Sequence, residues 1–241
     1  MGGESVEPKA CVLIATYNER QNIDQMISAL LSLPNNFEVL IVDDSSPDGT
    51  GERVGELAKC EPRLHLLSRK NKEGYGPAMI AGLRYALQLG VERIVTMDAD
   101  FSHDPKDVPK VCAALEKADI VLGSRYRGGV RVLNWAPRRL LLSMGANRYV
   151  RSVLGLSVAD CTSGFRGYRR GVFESDILER CRFRGYAFLV ELLYRCLKRG
   201  VHVAEVDIIY TERREGHSKM SKRVIFEAVF APWILRFFTR R

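Results

Sequence analysis

The chain has 241 residues, 46% of them hydrophobic, an ordinary globular composition with enough apolar material for one large domain. Its net charge of +8 suits nucleic acid, an anionic membrane surface or a phosphorylated substrate, and charge alone does not choose among these. The six cysteines, Cys11, Cys60, Cys112, Cys161, Cys181 and Cys196, form no CxxC pair and no cluster with histidine, so they read as reduced, mostly buried thiols rather than a disulfide or metal framework.

The first eight residues are polar and acidic, unlike a secretory signal, and the N-terminus is expected to stay cytosolic. Gly2 is present, but Val6 stands where a myristoylation motif wants Ser or Thr. Residues 11–16, 38–43, 64–67, 93–97 and 119–123 then read as short β-branched strands. Between them, residues 22–33, 51–59, 77–89 and 105–117 carry apolar side chains at helical spacing. This alternation predicts an α/β fold with a doubly wound, mostly parallel sheet and helices on both faces.

In such a sheet, ligands sit beyond the carboxyl ends of the strands. The polar segments fall there: Thr16-Tyr17-Asn18-Glu19 after the first strand, Asp43 to Thr50 after the second, Asp98-Ala99-Asp100 after the fourth. Asp48 and Thr50 also suit a helix cap before Gly51, whereas Asp44 lies too early to cap.

Beyond residue 130 the pattern changes. A basic helical segment, 137–148, precedes a glycine-punctuated stretch, 160–170. A helix near 188–199, a strand at 202–210 and a basic loop at 211–219 follow, with no repeats and no low-complexity linker. The last segment, 224–241, holds Phe226, Phe230, Trp233, Ile234, Leu235, Phe237 and Phe238, interrupted by Glu227, Pro232 and Arg236. It is shorter than the ~20 apolar residues of a spanning helix. It is expected to be an amphipathic helix lying in a membrane interface or docking a membrane partner, and the alternative is a terminal helix packed on the domain. The expected division is a catalytic body over residues 1–219 and this helix over 220–241.

The pair Asp98 and Asp100 carries the chemistry. Side chains at i and i+2 of an extended segment project together, and two carboxylates so placed repel unless a cation joins them. Mg²⁺ or Mn²⁺ accepts carboxylate oxygens and leaves positions open for phosphate. Arg125, directly after a strand, with Arg138, Arg139, Arg213 and Lys219, supplies cations for phosphate groups.

With these residues in view, the chain resembles the dolichyl-phosphate mannosyltransferases of glycosyltransferase family 2. The resemblance rests on Thr16-Tyr17-Asn18-Glu19, DDSSPDGT from Asp43, Lys72 to Ala78, MDADFSHDP from Met97, Gly123-Ser124-Arg125-Tyr126, Ser163-Gly164-Phe165-Arg166 and Arg213 to Lys219, and spans almost the whole chain. It implies a GT-A fold, a divalent cation and inverting transfer of mannose from GDP-mannose to dolichyl phosphate. The product would serve N-glycan, GPI-anchor and O- and C-mannosylation pathways.

The same resemblance implies roles for individual residues. Ala15, Tyr17, Glu19, Val42 and Asp44 would surround the nucleotide; Asp98, Ala99 and Asp100 would meet the diphosphate and metal, with Ser102 at the metal's outer edge. Arg125, Arg213 and Lys219 would hold donor and acceptor phosphates, Arg139 and Ser143 would face the acceptor, and Asp100, Arg125 and Arg213 would be catalytic. Ala15 stands where many members have Pro, and Ser102 where some have a Gln metal ligand.

A phosphate monoester, with its second pKa near ~6, is already an anionic nucleophile and needs no general base. None of His65, His103, His202 and His217 is therefore assigned a catalytic role. The expected location is the cytosolic face of the endoplasmic reticulum membrane, reached through the terminal helix or through small membrane-embedded partner subunits. The nearest alternative keeps the fold and uses UDP-glucose or another polyprenyl phosphate. A nucleic-acid or phospholipid binder would leave Asp98 and Asp100 unexplained, and no nucleic acid is expected as a partner.

Overall fold

The computed structural model describes residues 9–212 and 222–238. A seven-stranded sheet runs in the order β3-β2-β1-β4-β7-β5-β8. Its strands are β1 (Ala10–Thr16), β2 (Glu38–Asp43), β3 (Leu64–Ser68), β4 (Arg93–Thr96), β5 (Ile120–Ser124), β7 (Arg166–Arg169) and β8 (Val203–Asp207). All neighbours are parallel except β7, which lies antiparallel between β4 and β5. A two-stranded parallel ribbon, β6 (Val132–Leu133) with β9 (Tyr210–Thr211), sits apart from it.

The helices are α1 (Arg20–Leu31), α2 (Thr50–Ala58), α3 (Tyr75–Gln88), α4 (Val108–Ala114), α5 (Pro137–Leu154), α6 (Ile177–Arg180), α7 (Ala187–Lys198) and α8 (Lys222–Phe238). They cover both faces because the central strands are apolar on both. In β1, Cys11 and Leu13 join the core beneath α3 and α7, whereas Val12 and Ile14 join the core beneath α1 and α4. Side chains alternate faces along a strand, so a parallel sheet buried twice needs a continuous apolar run, and β1 and β2 supply one. A mixed α/β fold with a mostly parallel sheet is what the alternation predicts.

Close packing places α3 in particular. A methyl group on Gly82 would lie 2.5 Å from Leu13 Cδ1 and 2.8 Å from Val42 Cγ2, so only glycine lets the helix approach this near.

Three elements depart from the sequence reading. Residues 105–117 divide into a 3-10 turn, Pro105–Asp107, and α4, with Pro105 and Pro109 each near the start of its own element. The strand expected at 202–210 ends at Asp207; Ile208 turns into the core, and Tyr210 pairs with β6 instead. The glycine-punctuated stretch contains β7, whose Gly167 lies against Val111 and Leu115 of the α4 segment, where a methyl group would come within 2.8 Å of Val111 Cγ1.

The terminal helix packs on the body. Ala231 and Leu235 of α8 are 1% exposed, Tyr149 of α5 donates its hydroxyl to Val229 O at 2.7 Å, and Arg236 donates to Val153 O. Its outer face carries Phe226, Trp233, Phe237 and Phe238, all exposed. No helix among the described residues is long and apolar enough to cross a membrane.

Candidate active site

At the carboxyl ends of β1, β2 and β4 lies a cavity of ≈ 550 Å³. Three loops form its floor, and each contains a non-glycine residue in the left-handed region: Asn18 (φ 57°), Ser45 (φ 54°) and Phe101 (φ 58°). Such backbone persists only where neighbours over-determine it. Here they do. Asn18 N–H donates to Ser46 Oγ at 3.0 Å, Ser45 Oγ donates to Arg69 O, and the Phe101 turn is clasped by β9, where Thr211 donates its hydroxyl to Phe101 O and its N–H to Ser102 O, both at 3.2 Å.

Asp43 and Asp48 are structural members of the second loop. Asp43 accepts from Thr16 Oγ1 at 2.9 Å and from Ser46 N at 2.9 Å, tying β1 to β2. Asp48 Oδ1 accepts from Thr50 N, and its Oδ2 accepts from Arg20 N, each at 3.0 Å. Gly49, in the left-handed region, occupies the N-cap of α2 itself, so Asp48 joins the starts of two helices rather than capping one. Burial opposes charge on Asp48, but these donors outweigh it and hold its carboxyl below the usual range.

Asp44 lines the cavity beside Ala15, Tyr17 and Glu19. Burial raises its carboxyl above the ordinary value despite the ion pair with Arg69. Asp98, Ala99 and Asp100 enter from the opposite side, so seven residues expected around the donor share one wall-to-wall space. Val42 does not: it is wholly buried beneath α3, with its side chain against Gly82. Ser102 is wholly buried as well, and its backbone N–H donates to Asp100 Oδ1 at 3.1 Å, which orients that carboxylate from behind.

His103 lies under the same turn. Its Nδ1 accepts from Asp98 N–H at 3.3 Å, its ring stacks on Phe165 at 5.2 Å, and Tyr210 meets it edge-on at 5.2 Å. Burial pushes its pKa down to about 4, so it is neutral at ordinary pH and acts as an acceptor that fixes the Asp98 backbone.

Of the cations expected to hold phosphate, the described ones, Arg125, Arg138 and Arg139, lie outside the cavity lining. Arg125 is 8% exposed and turned away from the cavity, bound to Asp160 through Nε at 2.7 Å and Nη2 at 2.8 Å and to Thr162 Oγ1 at 2.8 Å. A buried guanidinium requires such a partner, and Asp160 meets that need from 35 positions along the chain. Arg139 is ion-paired with Glu212 and stacked 4.1 Å over Trp135, and Ser143 shares a 2.7 Å hydrogen bond with the Tyr126 hydroxyl. Both sit on α5, outside the cavity lining. Arg213 and Lys219 lie outside the described residues.

Sequence reasoning missed the opposite wall. Lys72, Glu73, Gly74 and Tyr75 come from the segment before and into α3, Arg184, Gly185 and Tyr186 from the segment before α7, and Glu227 from α8. Tyr75 and Tyr186 pair their rings at 5.0 Å. Lys72 Nζ lies 3.4 Å from the centre of the Tyr17 ring. Only the Lys72 to Tyr75 part had a local signal, as the start of the Lys72 to Ala78 motif.

Among the described lining residues, six are carboxylates (Glu19, Asp44, Glu73, Asp98, Asp100, Glu227) and two are cations (Lys72, Arg184). Arg69 behind the lining is ion-paired with Asp44 and Glu73, and the remaining carboxylates still disfavour an anionic ligand unless a cation enters with it. The donor set, two oxygen-bearing side chains at the end of β4, suits a hard divalent ion. No group of three or more His, Cys, Asp or Glu among the described residues could hold a metal, so Asp98 and Asp100 leave most of its coordination positions to a ligand.

A second hollow of ≈ 600 Å³, lined by Glu92, Arg93, Asp119, Arg169 and Arg170, lies at the start of β4 and β5. It is at the amino ends of these strands, opposite to where a sheet of this kind binds its ligands.

Comparison with known proteins follows the same lines. The family model described as glycosyl transferase family 2 matches residues 11–176. A polyprenol monophosphomannose synthase of Mycolicibacterium smegmatis is 42% identical over 232 residues, covering 95% of this chain and 88% of that protein. An undecaprenyl-phosphate mannosyltransferase of Micrococcus luteus is 38% identical over 221 residues, covering 92% and 91%. Among solved structures, glucosyl-3-phosphoglycerate synthase from Mycobacterium tuberculosis in complex with Mn²⁺, UDP and glucosyl-3-phosphoglycerate superposes with a TM-score of 0.69 at 18% identity, covering 100% of this chain and 87% of that one. The same synthase with Mg²⁺ and UDP gives 0.65 at 22% identity, covering 98% and 81%. At these identities the likeness is one of fold.

Proposed function

We infer that this chain, which belongs to glycosyl transferase family 2, transfers mannose from GDP-mannose to the phosphate of a long-chain polyprenyl phosphate, with inversion at the sugar carbon. The named mannosyltransferase relatives support the sugar and the acceptor class. The observation that carries the reading is the Asp98 and Asp100 pair at the end of β4, in a cavity whose other walls are mostly acidic.

Mg²⁺ or Mn²⁺ held by Asp98 and Asp100 would supply Lewis-acid stabilisation of the departing nucleoside diphosphate. The protein's own groups do the rest. Ala15, Tyr17, Glu19 and Asp44 line the nucleotide end, and Lys72 and Arg184 are the cavity's cations for the diphosphate oxygens. Ser102 N–H and His103 Nδ1 hold the two aspartates at a fixed bearing. The acceptor phosphate, dianionic at neutral pH, attacks without a general base. Among the described residues, His103 is buried and engaged, His65 pairs with Glu38 and His202 bonds Lys117 O, while His217 lies outside the described residues.

Arg139 and Ser143 on α5 are the proposed acceptor-phosphate contacts, with Arg213 and Lys219 completing the phosphate sites. The same helix exposes Leu141, Leu142 and Met144, and α8 exposes Phe226, Trp233, Phe237 and Phe238. Together these give the lipid tail and a membrane surface apolar contacts beside the phosphate site. Dolichyl phosphate, and with it the endoplasmic reticulum and membrane-embedded partner subunits, is one form of this reading; the bacterial relatives, named for polyprenol and undecaprenyl phosphate, support the other, a bacterial-type polyprenyl phosphate.

The test is transfer of labelled sugar into an organic-extractable product, using purified protein, Mg²⁺ or Mn²⁺, dolichyl or undecaprenyl phosphate, and GDP-mannose or UDP-glucose. Product from GDP-mannose alone, abolished by chelator, is the expected result. Product from UDP-glucose alone would replace the donor, and no binding of either donor would overturn the reading.

A further inference from the structure

The cavity wall formed by residues 184–186 belongs to a loop with no regular structure of its own, so its position depends on what holds it. Three elements do. From α7, Glu191, 1% exposed, accepts from the N–H groups of Arg182 and Phe183 at 2.8 and 2.9 Å. From α3, Gly76 N–H donates to Arg184 O at 2.9 Å, and Tyr75 pairs with Tyr186. From α8, Glu227 Oε1 accepts the N–H of Gly185 at 2.9 Å.

The third contact differs from the other two. Like the α3 contacts it lands on the part of the loop that lines the cavity, but it alone of the three comes from the helix that presents exposed Phe226, Trp233, Phe237 and Phe238. Its fit is close: a methyl group on Gly185 would lie 3.1 Å from the same Glu227 oxygen, tighter than an ordinary contact. Glu227 also lines the cavity itself. A carboxylate in that place would repel a diphosphate directly, which makes a role as a phosphate contact unsuitable and a role through Gly185 the consistent one.

We propose that Glu227 is a positioning residue of the donor site: by fixing Gly185 N–H it sets the 184–186 wall, and so makes the seating of α8 on α5 and α7 a condition for a formed donor cavity. The inference rests on the cavity being the nucleotide-sugar site. It assigns to the terminal helix a task in donor binding besides any contact with lipid. Arg184, a lining residue two positions after the Glu191 anchor at Arg182, is the cation this wall would bring to the diphosphate.

The experiment measures GDP affinity in the presence of Mn²⁺, by titration calorimetry on the full chain, together with donor KM and kcat. Glu227→Ala is expected to weaken GDP binding about tenfold, the scale of one lost charge-assisted hydrogen bond, and to raise donor KM while kcat changes little. Glu227→Gln, which keeps an oxygen for Gly185 N–H, is expected to restore affinity to within about threefold of the unmodified chain. A merely structural role would lower the amount of folded protein without splitting KM from kcat. Leu235→Ala provides the second arm, because it loosens α8 at a buried position remote from the cavity lining; it is expected to weaken GDP binding in the same direction. Unchanged GDP affinity in both Glu227→Ala and Leu235→Ala overturns the inference. Absence of GDP binding by the unmodified chain overturns the proposed function instead.

Discussion

Arg125 and Asp160 meet through two parallel hydrogen bonds, at 2.7 and 2.8 Å, where the carboxylate has no exposed surface at all. Burial raises the Asp160 carboxyl, but the guanidinium overrides burial and holds it below its usual value, while Arg125 itself is pushed further above the range of pH. The pair shapes the floor behind Tyr210 and His103 and does not open onto the cavity.

Replacing Asp160 by Asn therefore leaves a buried cation without its counter-ion. The expected loss is about 3–5 kcal/mol of unfolding free energy, read by urea denaturation. The pH dependence has a definite sign. A carboxyl depressed in the folded state stabilises above its unfolded pKa of about 3.9 and loses that contribution as pH falls through the lower folded value. The deficit of Asp160→Asn relative to the unmodified chain is thus full above about pH 4 and shrinks below it. A deficit that grew on acidification would contradict the pairing.

Asp100 and Ser102 are separable by mutation. Asp100→Asn is expected to lower metal-dependent transfer about 100-fold or more, with an unchanged melting temperature because the side chain lines a cavity rather than the core. Ser102→Ala retains the backbone N–H that reaches Asp100, so the Mn²⁺ concentration for half-maximal activity should stay within about twofold. A large rise for Ser102→Ala would make its hydroxyl a ligand after all.

Vesicle flotation reads the apolar surface. Phe237 is 67% exposed and Phe238 78% exposed, and each Phe→Ser change is expected to weaken partition into anionic vesicles about tenfold. Partition that ignores both changes would leave α8 as packing alone.

Gly82→Ala tests the close approach of α3 to the sheet. With Leu13 and Val42 both inside 3 Å of the added methyl, the expected cost is about 1–3 kcal/mol, visible as a lower thermal midpoint. No change would mean that the helix can move outward freely.

The first half of the fold was legible because each strand announces itself locally: Val39 to Val42 is an uninterrupted apolar run, and polar residues begin at the strand end. The second half was not. Arg166 sits inside β7 and is wholly buried, which sequence patterning forbids; its guanidinium donates to Ser163 O, Leu189 O and Cys161 O, partners supplied only by tertiary contact. Arg125 reads as a phosphate anchor for the same reason, since nothing in its surroundings points to Asp160. The acidic half of the candidate site followed from strand ends, a local rule. The wall of Arg184, Tyr186 and Glu227 obeys no local rule, because two helices distant in sequence deliver it. His103, set aside for lack of a catalytic task, turned out to be a buried prop for Asp98.

The antiparallel β7 imposes an order on biosynthesis. β4 is complete at Thr96 and β5 at Ser124, yet both meet their shared neighbour only when Arg166 to Arg169 have been made. At about 5–20 residues per second, roughly 70 residues separate the end of β4 from that event, a wait of several seconds on the ribosome. During it, Val95 and Val121, which end with no solvent exposure, lie along unpaired strand edges. Nascent chains halted near residue 160 should therefore engage chaperones and yield to protease more readily than chains halted near residue 210, in which β7 is free of the exit tunnel.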